Sequence, residues 1–292
     1  MTSGFTTSTP VPLYWSSSGP PGSDPLLILH GGPGAQHDYL LPQMLELARD
    51  RECVFYDQRG GGRSRHDDDR APVTWQSQVF DCEAVARELT PGPLTLVGYS
   101  WGALLALLYA VEAAQGRVSP RPDRLVLIDP APISRTWRNT FEAEFARRQQ
   151  GPAVQALRTE LADSGLQAHD PVAYRQRLFE LSVAGYFANP RAARALTPFR
   201  ITGRVQQSIW ESLGDYDLTD ALRDVHCPAL VVHGREDPIP LDSSRATANA
   251  LQAELVVLEA CGHVPYVEQP DALFGAIRSF LDRTVAHPLR TE

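Results

Sequence analysis

The 292-residue sequence predicts an α/β fold: a mostly parallel central sheet flanked by helices, with an inserted all-helical cap. Three observations predict it. Short apolar runs recur at 26–30 (LLILH), 53–57 (CVFYD), 94–98 (LTLVG), 125–129 (LVLID), 229–234 (ALVVHG) and 254–259 (ELVVLE). None alternates cleanly between apolar and polar, which suits strands buried on both faces. Helix-like stretches at 76–89, 102–114 and 241–251 lie between them. Strand alternating with helix means parallel strands joined by crossovers. Between about 133 and 217 the strand rhythm stops. The candidate helices there are TFEAEFARRQQ, PVAYRQRLFELSVAGYF and RVQQSIWESL, with Pro132, Pro152, Pro171, Pro190 and Pro198 near their boundaries. The expected organisation is a core from residues 1–131, a helical cap from 132–217 and the rest of the core from 218–292.

Charge and composition exclude several classes. A net charge of −8 argues against a nucleic-acid partner, which needs a basic face. The start, MTSGFTTSTPVPLYW, has neither the basic nor the apolar region of a signal peptide, and no run reaches the length of a membrane span. The expectation is a cytoplasmic protein with no membrane contact. Cys53, Cys82, Cys227 and Cys261 form no C-x-x-C pair, so they read as buried thiols and no metal site is expected. All 27 basic residues are Arg, which leaves no lysine for a Schiff base or a general base. The acidic run 67–69 reads as a solvated loop. No cofactor is expected, and the expected partner is a small-molecule or short-peptide substrate.

The chemistry concentrates in three loops. Gly98-Tyr99-Ser100-Trp101-Gly102 stands between a buried strand and a helix, the setting of a G-x-S-x-G elbow that exposes a serine nucleophile on a tight turn. A serine hydroxyl needs a base to take its proton. Of the histidines after the cap, His226 precedes a strand, His233 ends one and His287 lies in the polar tail. That leaves His263, directly after the last strand. The acid belongs after the preceding strand, where VVHGREDPIP offers Asp237 and, as the alternate, Glu236. Acyl transfer builds charge on a carbonyl oxygen, which oriented N–H donors stabilise. The N–H of Trp101 is one donor, and the N–H of Gly32, in the turn His30-Gly31-Gly32-Pro33-Gly34, is the other. Glycine there lets backbone approach substrate, and Pro33 stiffens the turn, a cis bond being one way to do so.

With HGGPG (30–34), DQRGGGRS (57–64), GYSWG (98–102), HGRED (233–237) and GHVPYVE (262–268) in order, the chain resembles the proline iminopeptidase family of α/β-hydrolases. The resemblance covers roughly 26–131 and 229 to the end. It implies the α/β-hydrolase fold, a cap over the active site and removal of N-terminal residues, often proline, from small peptides. It carries Ser100, Asp237 and His263 over as a triad, with Gly32 and Trp101 as oxyanion donors. The cap departs from the pattern. Val183-Ala184-Gly185 precede Tyr186-Phe187 where relatives often have Glu before His-Tyr-Phe, Pro198 stands where Glu precedes Phe, and Pro238 rather than Glu follows Asp237. Those glutamates bind the substrate amine in the family. Tyr186, Phe187 and Glu211 are the expected substrate contacts here, with Glu180, Asp215 and Asp217 as other carboxylates that could meet an amine. The reading is a serine hydrolase of small amides and peptides working through an acyl-enzyme. The alternatives are a carboxylesterase for small neutral esters and a receptor that keeps the fold without turnover. A serine at the elbow disfavours epoxide hydrolase or dehalogenase chemistry, which uses a carboxylate there.

Overall fold

The computed structural model describes residues 1–21, 24–65 and 72–283, so the acidic run 67–69 and His287 lie outside the described residues. Eight strands form one sheet among them: β1 (Thr2–Phe5), β2 (Tyr14–Ser18), β3 (Leu26–Leu29), β4 (Cys53–Tyr56), β5 (Thr95–Tyr99), β6 (Arg124–Ile128), β7 (Ala229–Gly234) and β8 (Glu254–Leu258). Their order is β1-β2-β4-β3-β5-β6-β7-β8. The β1–β2 and β2–β4 pairs are antiparallel; the six strands from β4 to β8 pair in parallel. β1 and β2 are additions to the sequence-predicted strands. TSGF and YWSSS are too polar to register as buried runs: β1 is the edge strand, and β2 pairs on one side with β1 and on the other with β4.

The continuous apolar runs have a simple cause. In β3, Leu27 and Leu29 join the core on one face of the sheet, while Leu26 and Ile28 join the core on the other. Val54 and Tyr56 against Cys53 and Phe55 in β4 divide in the same way, as do Leu125 and Leu127 against Val126 and Ile128 in β6. Both pleat faces are covered, so every position is apolar.

Helices cover those faces. α1 (Trp75–Leu89) starts at a capping box in which Thr74 and Ser77 satisfy each other's backbone N–H groups. α2 (Trp101–Ala114) is buried along nearly all its length against the sheet. Between β6 and β7 only helical elements occur: α3 (Arg135–Gln149), α4 (Pro152–Asp163), α5 (Leu166–His169), α6 (Pro171–Val183) and α7 (Gly203–Leu213), with 3₁₀ turns at Ala184–Tyr186, Pro190–Ala195 and Ala221–Asp224. Pro152 and Pro171 occupy first-turn positions, where a missing N–H costs nothing. α4 was not among the expected helices; only Val154 is buried along it, so its apolar signal is weak. α8 (Leu241–Leu251), α9 (Pro265–Glu268) and α10 (Pro270–Leu281) complete the chain. No described helix is long and apolar enough to cross a membrane.

Candidate active site

Loops at the carboxyl ends of β3, β4, β5, β7 and β8 converge at one edge of the sheet, where ligands bind in open α/β folds. Ser100 sits between β5 and α2 with φ 53° and ψ −118°, a conformation that costs a non-glycine residue about 1–3 kcal/mol. Surrounding backbone holds it there: its N–H donates to the Ile128 carbonyl at 2.9 Å, and its carbonyl accepts from the Ala131 N–H at 3.0 Å. The flanking glycines are forced by close approach. A Cβ on Gly98 would lie 2.5 Å from the Ala103 backbone, and one on Gly102 would lie 2.0 Å from the Leu29 carbonyl oxygen.

His263, in the loop after β8, brings Nε2 to 2.9 Å from Ser100 Oγ, and its Nδ1 lies 2.7 Å from Asp237 Oδ2. The second Asp237 oxygen accepts from the Ile239 N–H at 2.7 Å. A carboxylate at Nδ1 keeps the proton there, which leaves Nε2 bare toward the serine hydroxyl. Burial pushes the His263 pKa down to about 4, opposed by the negative charges of Asp129 and Glu268, so the ring is neutral at pH 7. Burial pushes the Asp237 carboxyl up, while hydrogen bonds from Asp129 and from the Ile239 N–H pull it down. Of the two acids offered by the loop, Glu236 turns the other way: its Oε2 accepts from the Cys261 N–H at 2.9 Å.

The HGGPG turn closes over the elbow. A Cβ on Gly31 would lie 2.9 Å from Ser100 Cβ, and the Gly31 N–H donates to the Tyr39 hydroxyl at 2.7 Å. Gly32 has φ +59°, and its N–H and that of Trp101 meet no acceptor among the described residues. The bond to Pro33 is not cis; among the described residues the cis bonds are Leu41–Pro42 and Ser119–Pro120, and the positive φ of Gly32 already turns the chain. Gln58 explains why the DQRGGGRS segment accompanies this turn. Its Nε2 donates to the His30 carbonyl at 2.8 Å, its N–H donates to His30 Nε2 at 3.1 Å, and its Oε1 accepts from the Trp101 indole at 2.8 Å.

Two chambers open at Ser100. The larger, about 860 Å³, has Trp101 and Trp210 in its wall together with Arg138, Glu142, Glu211 and Asp215. The smaller, about 360 Å³, is walled by His263 and by rings including Tyr39, Phe179, Phe199 and Tyr266, with no Arg, Asp or Glu in its lining.

Residues 26–276 match the model of the alpha/beta hydrolase family. The chain belongs to that family. A proline iminopeptidase of Lactobacillus delbrueckii subsp. bulgaricus is 28% identical over 260 residues, covering 84% of this chain and 85% of its own. The solved proline iminopeptidase-related protein of Thermus thermophilus superposes with a TM-score of 0.72 at 23% identity, over 96% of each chain. The proline iminopeptidase of Mycobacterium smegmatis gives 0.67 at 22% identity, over 96% of this chain and 97% of its own. The resemblance read from the motifs therefore holds across most of the chain.

Within this alpha/beta hydrolase the expected cap contacts separate. Tyr186 lines both chambers and stacks on the His263 ring, centroids 5.1 Å apart. Glu211 is exposed on α7 in the wall of the larger chamber, where it accepts from Gln207 at 2.7 Å, and Asp215 lies beside the same chamber. Phe187 requires a correction: it is 2% exposed and belongs to the core, since the 3₁₀ turn before it sends adjacent side chains to opposite sides. Glu180 lines a separate cavity of about 260 Å³ and pairs with Arg177, while Asp217 accepts from the Thr219 N–H at 2.9 Å in its own turn.

The site also contains residues that the motifs do not announce. Arg148 of α3 donates to the carbonyls of Glu236 and Asp237, tying the cap to the acid loop. Asp129, buried just after β6, stands beside Asp237; its only sequence signal was an acid at the end of an apolar strand. Asp129, His233 and Asp237 bring donor-type atoms within 4.8 Å of one another. They do not suit a metal, because His233 has no free nitrogen: Nδ1 meets Ser244 Oγ at 2.9 Å and Nε2 meets the Ile239 carbonyl at 3.1 Å.

Proposed function

We propose that this chain is a serine hydrolase that works through an acyl-enzyme, with small amides or peptides carrying a free N-terminal proline or small residue as its leading substrates. The observation that carries the reading is the unbroken hydrogen-bond chain from Ser100 through His263 to Asp237, opening onto a cavity. His263 Nε2 takes the proton of Ser100 as Oγ attacks the carbonyl carbon. The oxygen that becomes negative turns to the N–H groups of Gly32 and Trp101, donors that together are worth several kcal/mol, roughly 3 kcal/mol each. The tetrahedral centre collapses when His263 returns the proton to the leaving group. Water then attacks the acyl-serine with His263 as base again. Asp237 holds the tautomer and balances the imidazolium in both halves.

The chambers support an assignment of substrate halves. A leaving group must reach His263, so it occupies the smaller, uncharged chamber that His263 lines. The acyl part then turns toward the Trp101 wall, where Glu211 and Asp215 offer carboxylates to an amine and Glu142 pairs with Arg138 at 2.7 Å. This supports aminopeptidase action with carboxylates at positions other than those of the family. A carboxylesterase is the second reading, favoured by the uncharged lining of the smaller chamber and by the exposure of Glu211, which weakens its hold on an ammonium.

Turnover of prolyl-p-nitroanilide, N-acetyl-prolyl-p-nitroanilide and p-nitrophenyl butyrate, with Ser100→Ala as the blank, tests both readings. Cleavage of the free-amine anilide alone supports the aminopeptidase. Butyrate turnover with neither anilide cleaved replaces it with the esterase, and wild-type rates equal to the blank on all three overturn the enzyme reading.

A further inference from the structure

Behind the acid of the triad lies a second carboxyl group with no charged partner. Asp129 directly follows β6 with φ 40°, a left-handed conformation uncommon outside glycine, and it is 0% exposed. One of its oxygens, Oδ1, accepts from the Gly234 N–H at 2.8 Å; the other, Oδ2, meets no N–H or hydroxyl among the described residues. The Asp129 and Asp237 carboxyl groups are buried side by side: together with His233 they offer atoms that lie within 4.8 Å of one another. Carboxylate oxygens only accept, so a hydrogen bond between the two requires a proton on one of them.

The neighbours decide which. Asp237 accepts from His263 Nδ1 and from the Ile239 N–H, two bonds that favour its anion. Asp129 accepts only one N–H among the described residues. The nearest histidine to it does not change this: His233 Nδ1 lies 3.5 Å from Asp129 Oδ1, but burial lowers the His233 pKa to about 3, so the ring is neutral. Its single proton sits on Nε2, toward the Ile239 carbonyl, leaving Nδ1 as an acceptor for Ser244. Tyr99, Tyr266 and Cys261 also face Asp129, and burial keeps all three protonated. Glu268 and the Arg148 guanidinium also act on Asp237, the former raising and the latter lowering its pKa. Burial and the Asp237 charge both raise the Asp129 pKa well above the usual range.

We propose that Asp129 is a positioning residue: it stays a neutral acid at working pH and donates its Oδ2 proton to the Asp237 carboxylate, fixing that carboxylate toward His263. Two carboxylates in contact cannot both ionise in a buried site, so one proton is shared between them. The pair keeps one full negative charge beside the imidazole and supplies a donor that burial would otherwise deny to Asp237. Asp129 touches no substrate and acts through Asp237.

The inference rests on the proposed triad for its kinetic test and on chemistry alone for its spectroscopic one. Infrared difference spectra of wild type minus Asp129→Asn at pH 7 should contain the carbonyl band of a protonated carboxylic acid. In turnover of whichever substrate the protein accepts, Asp129→Ala should lower kcat about tenfold to a hundredfold, the penalty of a misplaced catalytic group, with KM little changed. Asp129→Asn should recover most of that loss, because its amide also donates to Asp237 and accepts from Gly234. Its acid limb should coincide with that of wild type. Absence of the band, or its loss only in Asp237→Asn, overturns the proposal. So does an Asp129→Ala enzyme as fast as wild type, or an Asp129→Asn acid limb displaced by a full pH unit, which would mean an ionised Asp129. If Asp129→Ala does not fold, or no substrate is turned over, the infrared comparison still decides.

Discussion

The backbone N–H of His263 donates to the Tyr186 carbonyl at 2.7 Å, and the two rings stack at 5.1 Å. A residue from the cap thus holds the histidine that faces Ser100 by both main chain and side chain. Tyr186→Ala removes the stack but keeps the backbone bond, and kcat should fall about tenfold through looser placement of the ring. Tyr186→Phe should match wild type. Equal rates for all three would show that the stack positions nothing.

Glu268 secures the same junction from the core side. One oxygen accepts from the N–H groups of Ala188 and Asn189 at 2.9 and 3.3 Å, and the other accepts from Gly262 at 2.7 Å. Glu268→Ala leaves these donors without partners in a half-buried site, at a cost of about 2 kcal/mol or more. A urea midpoint within error of wild type would refute this.

Arg59 and Asp81 form a buried two-point ion pair, with Nε to Oδ2 at 2.7 Å and the second bond at 2.5 Å. Burial raises the Asp81 pKa even against the pull of Arg59. Arg59→Met strands that carboxyl and should cost about 3–5 kcal/mol, whereas the double variant Arg59→Met, Asp81→Leu should regain much of it. Thermal melts of the single and double variants read the difference.

Gly102 and Gly275 make an internal contrast. A Cβ at Gly102 would stand 2.0 Å from the Leu29 carbonyl oxygen, whereas one at Gly275 in α10 meets nothing within 4 Å. Gly102→Ala should destabilise by about 3 kcal/mol or more, since backbone must move. Gly275→Ala should stabilise by up to about 1 kcal/mol through helix propensity. Chemical denaturation of both variants would expose an error in either sign.

Stability should fall on mild acidification. Burial lowers the His30 pKa from 6.5 to about 4, and the ring is held neutral because Nε2 accepts from the Gln58 N–H while Nδ1 meets the Gly31 carbonyl. The unfolded chain takes up this proton first, so the stabilisation is full above pH 6.5 and is lost as pH falls toward 4. Linkage sets the loss from His30 at about 3 kcal/mol. Burial lowers the His233 pKa as well, so His233 acts in the same direction. The slope of unfolding free energy against pH should be shallower in His30→Gln. An unchanged slope would remove His30 from the account.

The parallel strands, the crossover helices, the elbow around Ser100 and the loops bearing Asp237 and His263 were legible in the linear order of residues. Each rests on short-range physics: burial on both pleat faces makes an apolar run, and a tight strand-to-helix turn needs glycine on both sides of its serine. The polar strands β1, at the sheet edge, and β2 beside it were not legible, because the pairing of a polar strand is chosen by the neighbour that receives it. Nor was the side on which Phe187 lies, since a 3₁₀ turn rather than a periodic helix precedes it. Asp129 shows the limit most clearly. Nothing near it in sequence reveals that its carboxyl meets that of Asp237, for the contact arises only when the ends of β6 and β7 are set side by side. Local patterns record burial and turn chemistry. The placement of one polar atom against another from a distant segment, and so the charge state of the pair, comes from the packing of the whole chain.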